Sequence, residues 1–368
     1  MHAFIVTIIS FIFVLGVLVF IHELGHYLAA RWRGVHVDVF SIGFGKPLYK
    51  WRDKVGTEWR LCPIPLGGYV KPHGFEDPED TTDEQKANWI PGKTFHAKPV
   101  LDRSIVIFAG PFFNFVLAVI LFAGVFAISG KPFIKPVVEN IVPNSAASQA
   151  GIKPHDIIIQ IDKYKNPDAQ SLALFAKKHP GMTTTVIVKR EGKGVSLPIT
   201  ISSKLIDHKS VGQLGIVMGR IFVEKHRLSI EDSVVYAFRE TWNITADTVI
   251  GLGQMVTRQR SLSELGGPIK IAQISGQVAE KGFDQLILMM AVLSINLGLI
   301  NLFPIPMLDG GRLLFYVIEA VCRKPVHKKI QAWAFQIGFG LILLLFLFST
   351  YNDISQLGLI SWFTSHSK

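Results

Sequence analysis

At 368 residues with 49% hydrophobic residues and a mean hydropathy of +0.35, the chain is too apolar for an ordinary soluble protein, and its composition points to a multi-span membrane protein. A formal charge of +10 would suit a nucleic-acid binder, but the basic residues are spread over loops beside apolar segments and form no stripe with interleaved aromatics, so no nucleic-acid partner is expected. Cys62 and Cys322, the two cysteines, form no CxxC pair, which excludes a disulfide framework and leaves both expected as reduced thiols.

Spanning a ~30 Å hydrocarbon layer takes roughly 20 helical residues. Four segments meet that length, near residues 3–24, 103–128, 285–303 and 331–350. The first lacks a basic leading stretch and a small-residue cleavage site, so it is expected to be retained as a helix. It closes on "FIHELGH", residues 20–26. Residues four apart share a helix face, so His22 and His26 direct two imidazoles at one ion, while Glu23, about 60° round from His26, reaches a water on it. Two neutral histidines suit Zn²⁺, which in a catalytic site takes one more protein ligand and keeps a position open for water. Zinc would lower that water's pKa, and Glu23 would take its proton and pass it to a leaving amine.

The pattern HExxH arises by chance in about one chain in a hundred of this length, so the motif needs a second signal. The plain alternative is a set of polar side chains at a helix end, reaching the interface or another helix. Against it, a carboxylate near mid-bilayer costs roughly 2.5–3.5 kcal/mol on the insertion scale, and polar groups kept there usually work.

Between residues 35 and 72, "VDVFSIG", "PLYKW" and "TEWRLCPI" cluster aromatic and β-branched residues around "DKVG", which predicts a hairpin near residues 37–61. The acidic stretch from Glu76 to Glu84 reads as a solvated loop. Basic residues concentrate in this first connection (Arg31, Arg33, Lys46, Lys50) and in the third (Arg323, Lys324, Lys328, Lys329), placing both in the cytoplasm and both chain ends outside.

Helix count then puts the second connection, about residues 130–284, outside the cytoplasm. Its first part, residues 131–205, reads as a small α+β domain from the short strands "PVVENIV", "DIIIQID", "TTTVIVKR" and "VSLPITI". Residues 206–284 read as a linker and an amphipathic helical region, in which Arg239, Glu240 and Asp247 argue against a fifth span and for an interfacial helix.

A third ligand is on offer in "NLGLINLFPIPMLDGGR", residues 296–312. Pro304 and Pro306 cannot continue the third span, so Asp309 falls just beyond it, on the membrane side where the first span also ends. Taken alone, an aspartate before two glycines is more often a turn or a helix N-cap.

HELGH in the first span, "GPFFN" (Gly110 to Asn114) in the second and "NLFPIPMLDGG" in the third together resemble the site-2 protease family of intramembrane zinc metalloproteases, of the bacterial regulator-of-sigma-E protease type. The resemblance covers nearly the whole chain. It implies His22, His26 and Asp309 as zinc ligands, Glu23 as catalytic acid and base, and Asn296 and Asn301 as holders of the substrate backbone. It further implies that the hairpin near residues 37–61 guides an unwound substrate as an added strand. A helical peptide hides its carbonyls in its own hydrogen bonds, so cutting one requires local unwinding, and an exposed strand edge and side-chain amides would satisfy the freed groups.

By the same resemblance the insert is a single periplasmic PDZ domain, carried by "NSAASQAGIKPHDIIIQID", with His155 where a glycine is common. Enterobacterial relatives carry two in tandem, so access control by such a pair does not transfer. The implied setting is the bacterial inner membrane, with the active site towards the cytoplasm. The implied substrates are single-span membrane proteins, anti-sigma factors or remnant signal peptides, cut after a first cleavage.

Gly110 and Asn114 share a helix face and are expected to allow close packing against the catalytic helix; for Asn296 and Asn301 an interhelical hydrogen bond is the equal alternative. Three rivals stay open at this point: a catalytically silent scaffold binding protein termini through its PDZ domain, a metal or proton transporter, and a soluble-type zinc protease on a tether.

Overall fold

The computed structural model describes residues 2–76, 81–206, 209–218, 223–226, 228–259, 261 and 266–356, so the predicted acidic loop from Glu76 to Glu84 lies partly outside the described residues. Two compact units divide the chain, one of Met1–Val125 with Ile230–Lys368 and one of Phe126–Ser229.

Helix α1 (His2–Trp32) carries the apolar run through HELGH and on to Trp32, well past residue 24. It stops where Gly34 turns into the left-handed region (φ +69°), letting the Val35 amide donate back to the Ala30 carbonyl at 2.8 Å. A four-stranded sheet follows, built from β1 (Val37–Phe44), β2 (Tyr49–Arg52), β3 (Glu58–Leu61) and β4 (Ile64–Pro72) in the order β2-β3-β1-β4.

The hairpin expected around "DKVG" is present, confined to β2 and β3, and the wider span from residue 37 is corrected. The antiparallel hairpin is β2 with β3 alone, β1 joins β3 in parallel, and β4 pairs antiparallel with β1 to form the sheet's edge. Local alternation marks strands but not their partners, and the glycine pair Gly67–Gly68 disguises β4. Asp53 sets the hairpin turn by accepting from the Val55 and Thr57 amides and the Trp59 indole, each at 3.0 Å. Phe40 anchors the sheet on α1: fully buried, it stacks on Trp59 and meets Phe20 edge-on. His73 is buried just after β4, its Nδ1–H donating to Asp38 while its Nε2 accepts from the Ile90 amide.

A short helix α2 (Asp83–Ala87) precedes α3 (Val100–Ile128), which accommodates Pro111 in its interior. The second unit then contains β5 (Lys131–Ile134), β6 (Val138–Ile141), α4 (Ala146–Gln149), β7 (Ile157–Ile161), β8 (Tyr164–Lys165), α5 (Ala169–Lys178), β9 (Thr183–Arg190), β10 (Lys193–Thr200), β11 (Ser202–Ile206), β12 (Lys209–Gln213), β13 (Ile216–Met218) and β14 (Val223–His226). Its main sheet has the order β10-β9-β7-β8, and its core is built on buried Ile158, Ile161, Leu172, Val186 and Val188.

This unit ends at Ser229 rather than at 205, because β13 returns to pair with β6 and β14 with β5. Those pairings join sequence-distant segments, and runs such as "SSKLI" and "KSVGQ" carry no clear alternation to announce them.

The chain closes with α6 (Ile230–Val256), α7 (Pro268–Lys281), α8 (Phe283–Asn301), α9 (Asp309–Cys322) and α10 (Lys328–Gln356). Among the described residues four helices are long and apolar enough to cross a membrane: Ala3–Trp32, Val100–Ile128, Phe283–Asn301 and Lys328–Ser355. Large apolar side chains such as Phe4, Ile9, Ile337 and Leu344 point outward from α1 and α10, a surface suited to lipid and not to water. Helix α6, with its charges, is not one of the four. Val14 and Leu18 of α1, Leu117 of α3 and Leu286 and Met290 of α8 form one buried cluster that fastens these three helices together.

Candidate metal centre

Glycines let α1 and α3 touch where the motif lies. A Cβ on Gly25 would sit 2.4 Å from the Ala109 carbonyl oxygen, and one on Gly110 would sit 2.2 Å from Nε2 of His26. The backbone of α3 is therefore laid directly against the second histidine. On the far side Pro304 and Pro306 end α8, the chain passes Met307 at φ +92°, and α9 starts at Asp309. That start fits only because Gly310 and Gly311 lack side chains: a Cβ on either would come within 2.4 Å of the Leu302, Phe303 or Ile305 carbonyls. In the first turn of α9 the helix dipole favours a carboxylate. Arg103 of α3 grips Glu319 of α9 with two hydrogen bonds, at 2.7 and 3.3 Å, and holds the two helices in register.

His22, His26 and Asp309 consequently converge. Nε2 of His22 lies 3.3 Å from Nε2 of His26, and Oδ2 of Asp309 lies 3.2 Å from the first and 3.4 Å from the second. Nδ1–H of His26 donates to the Val106 carbonyl at 2.8 Å, which leaves its Nε2 as a bare lone pair facing the others. Oδ2 of Asp309 is buried without a hydrogen-bond partner. Such a group of inward-facing acceptors is stable around a cation and repulsive without one. Ligand atoms about 2.0–2.1 Å from a tetrahedral zinc stand roughly 3.3–3.4 Å apart, so the three side chains fit that ion.

Asn114 was expected to serve packing alone, and the structure gives it a further part. It is fully buried, its side-chain amide lies 3.1 Å from Nδ1 of His22, and Ser294 of α8 donates to its carbonyl at 2.7 Å. In this orientation of the amide its Oδ1 is buried without a hydrogen-bond partner. Turning the amide over, which exchanges two nearly equivalent atoms, lets Oδ1 accept from Nδ1–H of His22 and leaves Nε2 free for a metal. The signal available in the sequence was an amide inside an apolar span, one turn from Gly110.

Glu23 is set by the sheet. The Val70 amide of β4 donates to its carboxylate, and Gly68 of β4 lies so close that a Cβ there would come 3.1 Å from Cγ of Glu23. The three ligands, Glu23 and residues 67–72 of β4 line one cleft of about 870 Å³. Asn301 also lines it. Asn296 is not among the lining residues, and its side-chain oxygen accepts from Thr248 of α6 at 3.2 Å. The two asparagines thus part company: five residues apart on α8, they do not share a face.

Comparison with known proteins matches residues 10–345 to the sequence model of peptidase family M50. A relative in Agrobacterium fabrum, provisionally named a zinc metalloprotease, is 40% identical over 95% of this chain and 96% of its own length. The zinc metalloprotease RasP of Geobacillus kaustophilus is 33% identical over 95% of the chain and 98% of its own length. Metalloprotease MmpA of Caulobacter vibrioides is 33% identical over 97% of each. Among solved structures, the PDZ domain of an SdrC-like protein from Listeria innocua covers 23% of the chain at 23% identity, with a TM-score of 0.20 too low to bear on the fold.

Proposed function

The chain belongs to peptidase family M50 and is a zinc metalloprotease, and from that premise we propose that it is an endopeptidase of the bacterial inner membrane, cutting single-span membrane proteins within or beside their membrane helix. The observation that carries this reading is the meeting of His22, His26 and Asp309 with Glu23 and a strand edge in one cleft bordered by membrane-spanning helices. When bound, zinc supplies a Lewis acid and makes water acidic enough to attack at neutral pH.

The remaining work falls to the chain's own groups. Glu23, held by the Val70 amide, takes a proton from the attacking water and returns it to the departing amine. Asn114 and the Val106 carbonyl fix the tautomers of His22 and His26. The edge of β4 receives an unwound stretch of substrate as an added strand; it replaces the 37–61 hairpin in this role because β4 is the strand that reaches Glu23 and borders the cleft. Asn301, which lines the cleft, bonds a freed backbone group of that strand, a role Asn296 does not share while Thr248 occupies its oxygen.

The positive-inside pattern supports a site towards the cytoplasm and an insert in the periplasm. The insert is read as a PDZ domain from its capping helices, α4 and α5, beside a small antiparallel sheet. Substrates of the anti-sigma-factor or remnant-signal-peptide class fit a cleft that needs a flexible, already trimmed chain.

Glu23→Gln tests the assignment. The variant is expected to keep a full complement of zinc and to cut no single-span reporter in proteoliposomes; cleavage at the unsubstituted rate would remove Glu23 from the reaction.

A further inference from the structure

Arg312 is the unexplained charge of the site. It occupies the first turn of α9, three residues after Asp309, and lines the same cleft as the metal ligands. Its guanidinium stacks over the Phe75 ring, 4.3 Å from the centroid, with the Phe335 ring of α10 5.8 Å away. Three other arginines pair with carboxylates: Arg103 with Glu319, Arg33 with Asp102 and Arg190 with Asp156. Among the described residues no carboxylate lies within ion-pair distance of Arg312, and no acceptor takes a hydrogen bond from its guanidinium.

Three costs coincide here. The cation is partly buried, it sits at the positive end of a helix, and among the described residues it has no ion-pair partner. Burial draws its pKa down, with Tyr316 and Asp309 acting the other way, and Asp309 is committed to the metal set. Stacking on an aromatic face leaves the N–H groups at a guanidinium's edge free to bond a carboxylate two-pronged, and Arg312 stands in the lining of the cleft. The other charged pair in the lining, Lys71 and Glu76, is joined at 3.3 Å, so the group left to answer Arg312 in the cleft is the polypeptide being cut.

We propose that Arg312 recognises an aspartate or glutamate side chain of the substrate close to the scissile bond, and so sets which register of an unwound segment is cleaved. This rests on the endopeptidase reading above. It makes Arg312 a specificity-determining residue: an acidic side chain of the added strand meets the guanidinium in a charge-assisted pair, and a chain with only neutral side chains leaves the cation unanswered.

The test uses the full-length zinc-loaded enzyme in proteoliposomes. A single glutamate, or the matching glutamine, is moved residue by residue on either side of the cut in a single-span polypeptide. At one register kcat/KM should favour glutamate by roughly ten- to a hundredfold, expressed mainly in KM. Arg312→Gln should bring that ratio close to one, Arg312→Lys should keep it in weakened form, and Arg312→Glu should transfer the preference to lysine at the same register.

Zinc content identifies variants that keep the centre; should the glutamine and glutamate variants lose zinc, the lysine variant still decides, since a ratio identical to that of the unsubstituted enzyme would contradict a two-pronged contact. A ratio that persists in Arg312→Gln, or no register with a glutamate preference, overturns the inference and leaves the endopeptidase reading standing. Failure of the unsubstituted enzyme to cut any single-span polypeptide overturns both.

Discussion

Gly110→Ala offers a quantitative probe of how tightly the centre is packed. The added Cβ would lie 2.2 Å from Nε2, 2.5 Å from Cε1 and 2.9 Å from Cδ2 of His26. Ordinary contact begins near ~3.4–3.5 Å, so the ring or the helix must yield by roughly 1 Å. The ring has little room, because its Nδ1–H is already tied to the Val106 carbonyl one turn earlier on the same helix, at 2.8 Å. Breaking that buried bond costs about 1–3 kcal/mol. A shift of about 1 Å at a reacting centre costs on the order of a hundredfold in rate.

The substitution is therefore expected to lower reporter cleavage by at least about a hundredfold and to weaken zinc retention during dialysis against a chelator. Gly124→Ala, on the same helix with nothing within 4 Å of its added Cβ, is the control and should leave both properties intact. Full zinc and an unchanged rate in Gly110→Ala would refute the contact between α3 and the second histidine.

Asn114→Ala removes the partner of Nδ1 in His22 and should reduce zinc affinity by about 10- to 100-fold, read by competition with a chelating dye, while Asn114→Asp, which keeps an acceptor, should lose less. In the insert, burial alone would raise the Asp156 carboxyl, but the Arg190 guanidinium, at 2.6 and 2.8 Å, and the Lys153 amide hold it below the usual carboxylate range. A depressed folded-state pKa means the stabilisation is complete above the unfolded value of about 3.9 and disappears as pH falls through the folded one. Protection of the β7 and β9 amides against hydrogen exchange in the full chain should thus decline below about pH 4, and Arg190→Gln should shrink that decline.

Much of the candidate site was legible because its parts are local signals. Two histidines and a glutamate at helical spacing, and an aspartate after two prolines, announce themselves in any apolar chain, and the structure brings His22, His26 and Asp309 together. The four spans are equally legible, since length and hydropathy are properties of a segment and not of its neighbours. What escaped was set by contact between distant segments.

The pairing of β1 with β3 rather than in a simple hairpin, the edge position of β4, and the return of β13 and β14 to the start of the insert are choices of partner, which alternation does not encode. Asn114 looked like a packing residue because its partner, His22, belongs to another helix. Asn296 and Asn301 looked equivalent in sequence, and only the packing of α6 on α8 through Thr248 separates them.

The central claim is that residues from two distant helices share a single ion. X-ray absorption at the zinc edge of the purified protein tests it most directly, in parallel with His22→Ala, His26→Ala and Asp309→Ala. One zinc per chain with two imidazole nitrogens and carboxylate oxygen at about 2.0–2.2 Å, lost or reorganised in each of the three variants, is the predicted result. Zinc bound undiminished and with an unchanged spectrum in Asp309→Ala would show that α9 does not meet α1 around the metal, and would contradict the account.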